Sequence, residues 1–217
     1  MISIVKIKEP KELLTYRLQP YAEYDGANFT PVKDAIRQSL LEEQGYICAY
    51  CMQRIQNDRT KMKIEHWQSQ SKVPTLQLDY KNMLAVCLGN KSYSYNNTHC
   101  DTHKKNTLLY FNPSNNNTPI NSLIKYKPSG TIYSEDQLML NDIETLNLNL
   151  YRLTCNRKAV IDALTDILRK KQGTLTISDL TELLIKWESK DSNNQLKPYC
   201  GAVIYYLNKR IRRISSR

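Results

Sequence analysis

The chain has 217 residues, of which 41% are hydrophobic and 24% are charged, so it can bury a core and is not a disordered polypeptide as a whole. Its net charge of +10 puts nucleic acid slightly ahead of a merely solvated basic surface as the reason for the charge. We find no long apolar run and no signal-peptide core, and therefore expect a cytoplasmic protein without a membrane span. In that compartment, six cysteines favour metal binding or catalysis over disulfides.

The first predicted element is a helix over residues 30–45. Thr30 can cap it, and Pro31 suits the first helical position. Its apolar positions repeat every four residues, at Val32, Ile36 and Leu40. Gly45 suits the end of the helix.

The following segment, 46–110, holds four of the six cysteines and all three histidines. Residues 62–64 predict a strand, and residues 83–86 predict either a strand or a single helical turn. Residues 88–99 form a polar loop. The composition of 112–119, rich in Pro, Asn and Ser, predicts a hinge.

Beyond the hinge the pattern is helical. A helix is predicted over 144–171, ended by Gly173, and further helices over 178–190 and 200–213. The leucine and isoleucine stripe of the first consists of Leu146, Leu150, Leu153, Ile161, Leu164 and Leu168. The second is expected to face inward with Leu180, Leu183, Leu184 and Trp187.

The C-terminal end is strongly basic. The cations are Lys209, Arg210, Arg212, Arg213 and Arg217. They form either a solvated face or a surface that contacts phosphates. Cys155 and Cys200 lie in the helical patterns, and we expect both to pack in the core, as free cysteines commonly do.

The cysteine spacing predicts a zinc site. Cys48 and Cys51 form a C-x2-C pair, whose tight turn can aim both sulfurs at one ion. Cys87 and Cys100 can complete a four-thiolate set, although His99 could replace Cys100. The competing interpretation is four unlinked thiols.

A second group of residues suggests phosphodiester chemistry. Glu65 precedes His66 at the end of the first strand, so a hard oxygen ligand and a base near neutrality stand together. Asp101 follows Cys100 and can supply a second oxygen ligand, while Lys104 can contact a phosphate oxygen. The competing interpretations are an ordinary Glu-His pair and a helix N-cap at Asp101.

The order of these motifs is the main clue to a family. A C-x2-C pair, a Glu-His pair, an asparagine, a cysteine and a Cys-Asp-x-x-Lys run follow one another along the chain. Over about 44–106 this order resembles the zinc-supported HNH endonucleases, whose catalytic unit is a ββα-metal finger.

The resemblance implies a role for each matching residue. His66 matches the general base, Glu65 the acidic metal ligand before it, and Asn82 the asparagine that holds the loop and orients the base. Asp101 stands where most members carry a metal-binding His or Asn, and His103 is a further candidate for that position.

Longer stretches resemble PtuB, the family of HNH subunits of Septu anti-phage defence, over nearly the full chain. The matching stretches are 43–51, 64–67, 79–84, 100–104, 146–149 and 198–201. Homologues occur as effectors of some retrons. The resemblance implies a PtuA-like ATPase partner and, in retron versions, a reverse transcriptase with its multicopy single-stranded DNA.

These observations predict an α+β, mostly α-helical fold. A ββα-metal (HNH) finger with a four-cysteine zinc knuckle is embedded between an N-terminal helix and a C-terminal helical bundle. The predicted segments are 1–43 (N-terminal, helical), 44–112 (nuclease module) and 113–217 (helical, for partner binding).

The predicted function is a metal-dependent HNH endonuclease with structural Zn²⁺ and catalytic Mg²⁺ or Mn²⁺. It would hydrolyse nucleic-acid phosphodiester bonds as the toxic effector of a Septu-type or retron-type defence complex. The alternative is a zinc-stabilised nucleic-acid-binding module without catalysis. Such a module would need neither Glu65, His66 nor Asp101.

Overall fold

The computed structural model describes residues 1–115, 117, 120–171 and 174–216 of the chain. Its elements are α1 (Lys11–Arg17), α2 (Phe29–Gln44), β1 (Met62–His66), β2 (Met83–Cys87), α3 (Asp101–Lys104), α4 (Ile120–Leu123), β3 (Lys125–Tyr126), β4 (Ile132–Tyr133), α5 (Gln137–Thr145), α6 (Tyr151–Lys170), α7 (Ile177–Glu188) and α8 (Cys200–Ser215). The α+β, mostly helical fold is confirmed. No helix among the described residues is long and apolar enough to cross a membrane.

Helix α2 confirms the first predicted helix but corrects its start. It begins at Phe29 after Asn28, whose φ of 59° lies in the left-handed region that Asn tolerates. Thr30 is therefore not the cap, and Pro31 is the third helical residue. The earlier start buries Phe29 against the rings of Tyr16 and Tyr24. At the other end Gly45, with a φ of 62°, ends the helix as predicted.

Strands β1 and β2 form an antiparallel hairpin, which resolves the ambiguity at 83–86 in favour of a strand. The register pairs Met62 with Cys87 and His66 with Met83. Every residue of β2 is buried, because α2 packs on this hairpin. The two-residue strands β3 and β4 form a second, smaller hairpin.

The side chain of Gln44 joins α2 to the hairpin and to the turn beyond it. Its Nε2 donates to the carbonyls of Ile47 (3.0 Å) and Ala85 (2.8 Å), and its Oε1 accepts from the Ala85 N–H (2.8 Å). Gln44 is 3% exposed, so these bonds satisfy backbone groups that water cannot reach.

The predicted helix over 144–171 is wrong as a single element, because non-helical residues separate the end of α5 from the start of α6. Asn147 adopts a φ of 47° and donates to the carbonyls of Asn96 and Thr98. Asn149 bonds both backbone groups of Ile132 through its side chain. Asparagine competes for backbone groups in this way, which ends helices.

Helices α6, α7 and α8 pack together at the C-terminal end, and the predictions for α7 and α8 are confirmed. Cys200 is buried as expected, whereas the prediction for Cys155 is wrong, because Cys155 is exposed. The buried side of α6 carries Leu153 and Ile161. Cys155 lies two residues beyond Leu153, about 200° around the helix, and so faces solvent.

One large buried cluster includes residues from the N-terminal stretch, the hairpin region and the C-terminal helices. The division into segments 1–43, 44–112 and 113–217 stays a prediction. Gly173, Arg217 and part of the hinge at 112–119 lie outside the described residues.

Replacing Gln44 by Met should lower the free energy of unfolding by about 2–4 kcal/mol. The substitution would leave the Ala85 N–H and the Ile47 carbonyl buried without a partner. Gln38→Met, on the same helix but part-buried, should cost less than about 1 kcal/mol. Urea denaturation of both variants measures the difference in their free energies of unfolding. Equal midpoints would contradict a stabilising role for the Gln44 hydrogen bonds.

Candidate active site

Four cysteine sulfurs meet inside the protein. The ligand atoms of Cys48, Cys51, Cys87 and Cys100 all lie within 4.8 Å of one another, and each residue is at most 1% exposed. The Cys48–Cys100 and Cys51–Cys87 sulfur pairs are each 3.8 Å apart. Tetrahedral thiolates at about 2.3 Å from a zinc ion are separated by about 3.8 Å. The donor set and its spacing therefore fit structural zinc.

Backbone hydrogen bonds fold the C-x2-C pair into a tight turn. The Cys48 N–H donates to the carbonyl of Gln53 (2.9 Å), and the Met52 N–H donates to the carbonyl of Cys48 (3.0 Å). Met52 closes the turn with a φ of 64°. The Ala49 N–H donates to the Ala85 carbonyl of β2, which fixes the turn beside the hairpin.

Two contacts bring Cys100 to the other three sulfurs. Its N–H donates at 2.8 Å to the carbonyl of Leu146, the residue that follows α5. Gly89, with a φ of 56°, lies so close that a Cβ there would be 2.0 Å from the carbonyl oxygen of His99. Only glycine fits that position, since any side chain would push the Cys100 segment away.

His99 lies beside the sulfur cluster and is fully buried. Its Nδ1 is 3.1 Å from Cys100 Sγ, and its Nε2 is 3.3 Å from an Arg152 nitrogen. Because arginine only donates, Nε2 accepts and Nδ1–H faces the sulfur. Burial lowers the pKa of His99 to about 4, which keeps the ring neutral. This geometry is that of a donor to the Cys100 sulfur.

The thiols are electrostatically coupled. Burial raises the pKa of Cys100 well above its usual range. Burial also opposes ionisation of Cys48, but hydrogen bonds from Cys100, Cys51 and Cys87 outweigh it and hold the pKa of Cys48 well below that of an ordinary thiol. The cluster therefore favours a thiolate, the form that binds metal.

Two carboxyl groups face each other next to this cluster. Glu65 on β1 is 6% exposed, and the carboxyl group of Asp101, the first residue of α3, lies close enough to shift its pKa. Burial and the Asp101 carboxylate raise the pKa of Glu65 well above its usual value. Burial opposes the charge on Asp101, but bonds from Glu65 and Lys63 lower its pKa overall.

Lysines flank this carboxyl pair on both sides. Lys104 Nζ is 2.5 Å from Glu65 Oε1, and its side chain is 1% exposed. Lys63 Nζ contacts Asp101 and donates to Thr102 Oγ1 at 2.8 Å. Lys104 is thus placed inside the carboxyl site rather than on an open surface.

His66 lies on the other side of β1 from Glu65, as alternation along a strand requires. Its Nε2 is 2.9 Å from the carbonyl oxygen of Gln77, and the ring of Tyr24 packs edge-on at 4.6 Å between centroids. A carbonyl only accepts, so Nε2 carries the proton and Nδ1 has the free lone pair. Burial lowers the pKa of His66, and nearby Lys33 and Lys104 add to that effect.

Asn82 holds the loop that joins the two strands. Its Oδ1 accepts from the Gln68 N–H at 2.8 Å, and its Nδ2 donates to the carbonyls of Gln68 and Leu76. The same loop carries Gln77, the partner of His66. Asn82 and His66 therefore both bond the same loop.

His103 has different neighbours from the carboxyl pair. Its Nδ1 is 3.0 Å from the carbonyl oxygen of Thr145, and its ring stacks on Tyr95 at 4.3 Å. In the described part of the chain, the four cysteines form the group of metal-binding type, and His103 is not part of it.

Some contacts at the site had not been foreseen from the sequence. Lys63 stands two residues before Glu65, so strand alternation alone could have placed it on the Glu65 face. Tyr24, whose ring packs on His66, lies far from it in sequence. Tyr50, whose hydroxyl is 3.4 Å from Glu65, belongs to the stretch that we interpret as part of the zinc site. No local pattern marks either tyrosine.

Comparison with known proteins identifies one similar protein with a descriptive name. No protein-family model matches the chain. The chain is 26% identical over 187 residues to a protein of Vibrio cholerae serotype O1 biovar El Tor named "Retron Vc95 putative HNH endonuclease". The alignment covers 78% of this chain and 86% of that protein. The similarity, with the residue order around the four cysteines, supports the placement of this chain in the HNH endonuclease family, beside a retron-associated relative.

Proposed function

We propose that this chain hydrolyses phosphodiester bonds in nucleic acid with the help of a divalent cation. The observation that carries the proposal is the close approach of the buried Glu65 carboxyl and the half-buried Asp101 carboxyl, next to His66 at the end of β1. A module that only binds nucleic acid has no use for such a group. The similarity to a retron HNH protein supports the same conclusion.

Glu65 and Asp101 would hold the catalytic cation, Mg²⁺ or Mn²⁺, because their oxygens are the hard ligands that both ions prefer. When bound, the cation stabilises charge on the phosphate and on the leaving oxygen. Lys104 touches Glu65, and Lys63 touches Asp101. We propose that the lysines limit the negative charge of the pair and orient it for the phosphate.

His66 is the proposed general base. Its lowered pKa keeps the imidazole neutral at pH 7, so Nδ1 can accept a proton from the attacking water. The Gln77 carbonyl and the Tyr24 ring fix the orientation of the imidazole. Asn82 supports that orientation because its amide bonds hold the loop in place.

The four cysteines are proposed to bind one structural Zn²⁺. A closed set of four thiolates leaves no position for substrate, so this ion would contribute to folding rather than to chemistry. The carboxyl pair adjoins Cys100 through Asp101, so the zinc site would determine where the catalytic residues stand.

We further propose that the nuclease is the effector of an anti-phage defence complex of the Septu or retron type. The partners would be a PtuA-like ATPase and, in a retron, a reverse transcriptase with its single-stranded DNA. Support comes from the name of the Vibrio relative and from the PtuB-like stretches in the sequence. Neighbouring genes without an ATPase or a reverse transcriptase would argue against this role.

Replacing Cys51 by Ser should remove the bound zinc and the cooperative thermal unfolding transition. Structural zinc contributes about 10–16 kcal/mol in small domains, which is comparable to the whole stability of a typical domain. Cys155→Ser is the matched control, because Cys155 is exposed and lies outside the cluster. Metal analysis with calorimetry should give one zinc per chain for the control. A folded, zinc-free Cys51 variant would contradict the structural role.

Replacing His66 by Ala should slow cleavage by at least about 100-fold while the zinc content stays unchanged. His103→Gln is the matched control, since His103 bonds the Thr145 carbonyl instead of the carboxyl pair, and it should retain cleavage. The assay follows labelled DNA and RNA with Mg²⁺ or Mn²⁺ added. Undiminished cleavage by the pure His66 variant would favour another catalytic group, and no cleavage by the unmodified protein would favour the binding module.

A further inference from the structure

A polar cavity of about 460 Å³ lies beside the cysteine turn, at the end of the hairpin away from His66. Its walls come from residues 53–56, 60–61 and 88–93, together with Arg152 of α6. Four of the residues that line the cavity are Lys or Arg, and no lining residue is Asp or Glu. A concave surface of this size and sign suits one nucleotide with its phosphate.

The four cations of this cavity differ in how free they are. Arg54 is committed to the carbonyls of Gly45, Tyr46 and Leu196. Arg152 bonds Asn90 and His99 and so keeps its charge fixed at the cavity wall.

The two lysines of the cavity are exposed. Among the described residues, the Lys61 ammonium group contacts Gln56 and Asp58 at the surface. The Lys91 backbone N–H donates to the carbonyl of Leu88, but its ammonium group has no hydrogen bond or ion pair within the part of the chain that the structure describes. Lys61 and Lys91 can therefore reach a phosphate.

Tyr93 adds an aromatic surface to this basic wall. It is 67% exposed, and among the described residues its ring has no aromatic or cationic neighbour. Its backbone is nevertheless fixed, because the Tyr93 N–H donates to the Asn90 carbonyl (2.9 Å) and Asn90 Nδ2 donates to the Asn97 carbonyl (2.8 Å). An exposed ring on a fixed backbone, in the wall of a cavity that also contains four cations, suits the stacking of a nucleic-acid base.

The cavity and the carboxyl pair are connected through Lys63 and Thr102, since Thr102 Oγ1 accepts from Lys63 Nζ and donates to the carbonyl of Leu88 in the cavity wall. Lys61, Lys63 and Glu65 follow at intervals of two residues, and Lys63 already reaches Asp101. The length of β1, from Met62 to His66, is about 13 Å at about 3.3 Å per residue. A nucleic-acid strand that follows β1 would meet a lysine at each step from the cavity to the carboxyl groups.

We propose that this cavity binds an unpaired nucleotide that flanks the cleaved bond, with its phosphate at Lys61 and Lys91 and its base stacked on Tyr93. The proposal rests on the proposed nuclease function, and it deepens that function by specifying a single-stranded segment beside the cut. A base within a duplex is stacked on its neighbours and paired, so its face is not available to Tyr93.

Fluorescence anisotropy on the zinc-loaded full chain measures nucleic-acid binding by this cavity. Cleavage is avoided because no Mg²⁺ or Mn²⁺ is added. The probes are labelled strands of about twelve nucleotides, as DNA, as RNA and as the DNA duplex. Tyr93→Ala should raise the Kd for single strands at least about fivefold. Tyr93→Phe, which keeps the ring, and Tyr21→Ala, which removes a fully exposed tyrosine elsewhere, should bind as the unmodified protein does.

Lys91→Ala should lower the slope of log Kd against log salt by about 0.7, the contribution of one phosphate on a single strand. Dependence on Tyr93 with DNA, RNA or both would support the cavity and identify the sugar. The proposal would be overturned if Tyr93→Ala left the Kd for single strands unchanged, or raised the Kd for duplex by the same factor. Tyr93-dependent binding by a protein that never cleaves would refute the nuclease function and the position beside a cleaved bond, while the cavity would remain a binding site for an unpaired nucleotide.

Discussion

The rest of the site depends on the convergence of four cysteine sulfurs from three separate stretches of chain. One pair comes from the turn after α2, the third sulfur from the end of β2, and the fourth from the residue before α3. These stretches are short and rich in polar loops, and the helix α3 has only four residues. A helix of that length has no stability of its own, so the proposed zinc site at Cys100, the residue before the helix, would determine where it lies.

The position of α3 has a direct chemical consequence, because this helix carries part of the proposed reaction. Asp101 follows Cys100, and the β1–β2 register that ends at Cys87 places Glu65 opposite Leu84 in a buried pairing. The two carboxyl groups meet in a site from which water is largely excluded, and this raises the pKa of Glu65. Such a pair is costly unless a cation lies nearby, and Lys63 and Lys104 supply that charge in this structure.

Much of this arrangement could be predicted from the sequence because it depends on the spacing of residues that are close together along the chain. The C-x2-C pair, the Glu65–His66 pair and the apolar stripes of the C-terminal helices each depend on residues close in sequence. The break at Asn147 could not be seen, because the leucine stripe continues across it and the asparagine bonds distant backbone. For the same reason the packing of Tyr24 on His66, which joins an irregular loop to a strand, leaves no periodic signal.

X-ray absorption at the zinc edge of the purified full chain can show whether one ion occupies the four-sulfur cluster. We expect one zinc per chain with four sulfur neighbours at about 2.3 Å and no nitrogen or oxygen bound to the ion. A shell that contains nitrogen would make His99 a ligand in place of a cysteine. That result, or the absence of any stoichiometric metal, would contradict the four-thiolate centre that we propose positions the carboxyl pair.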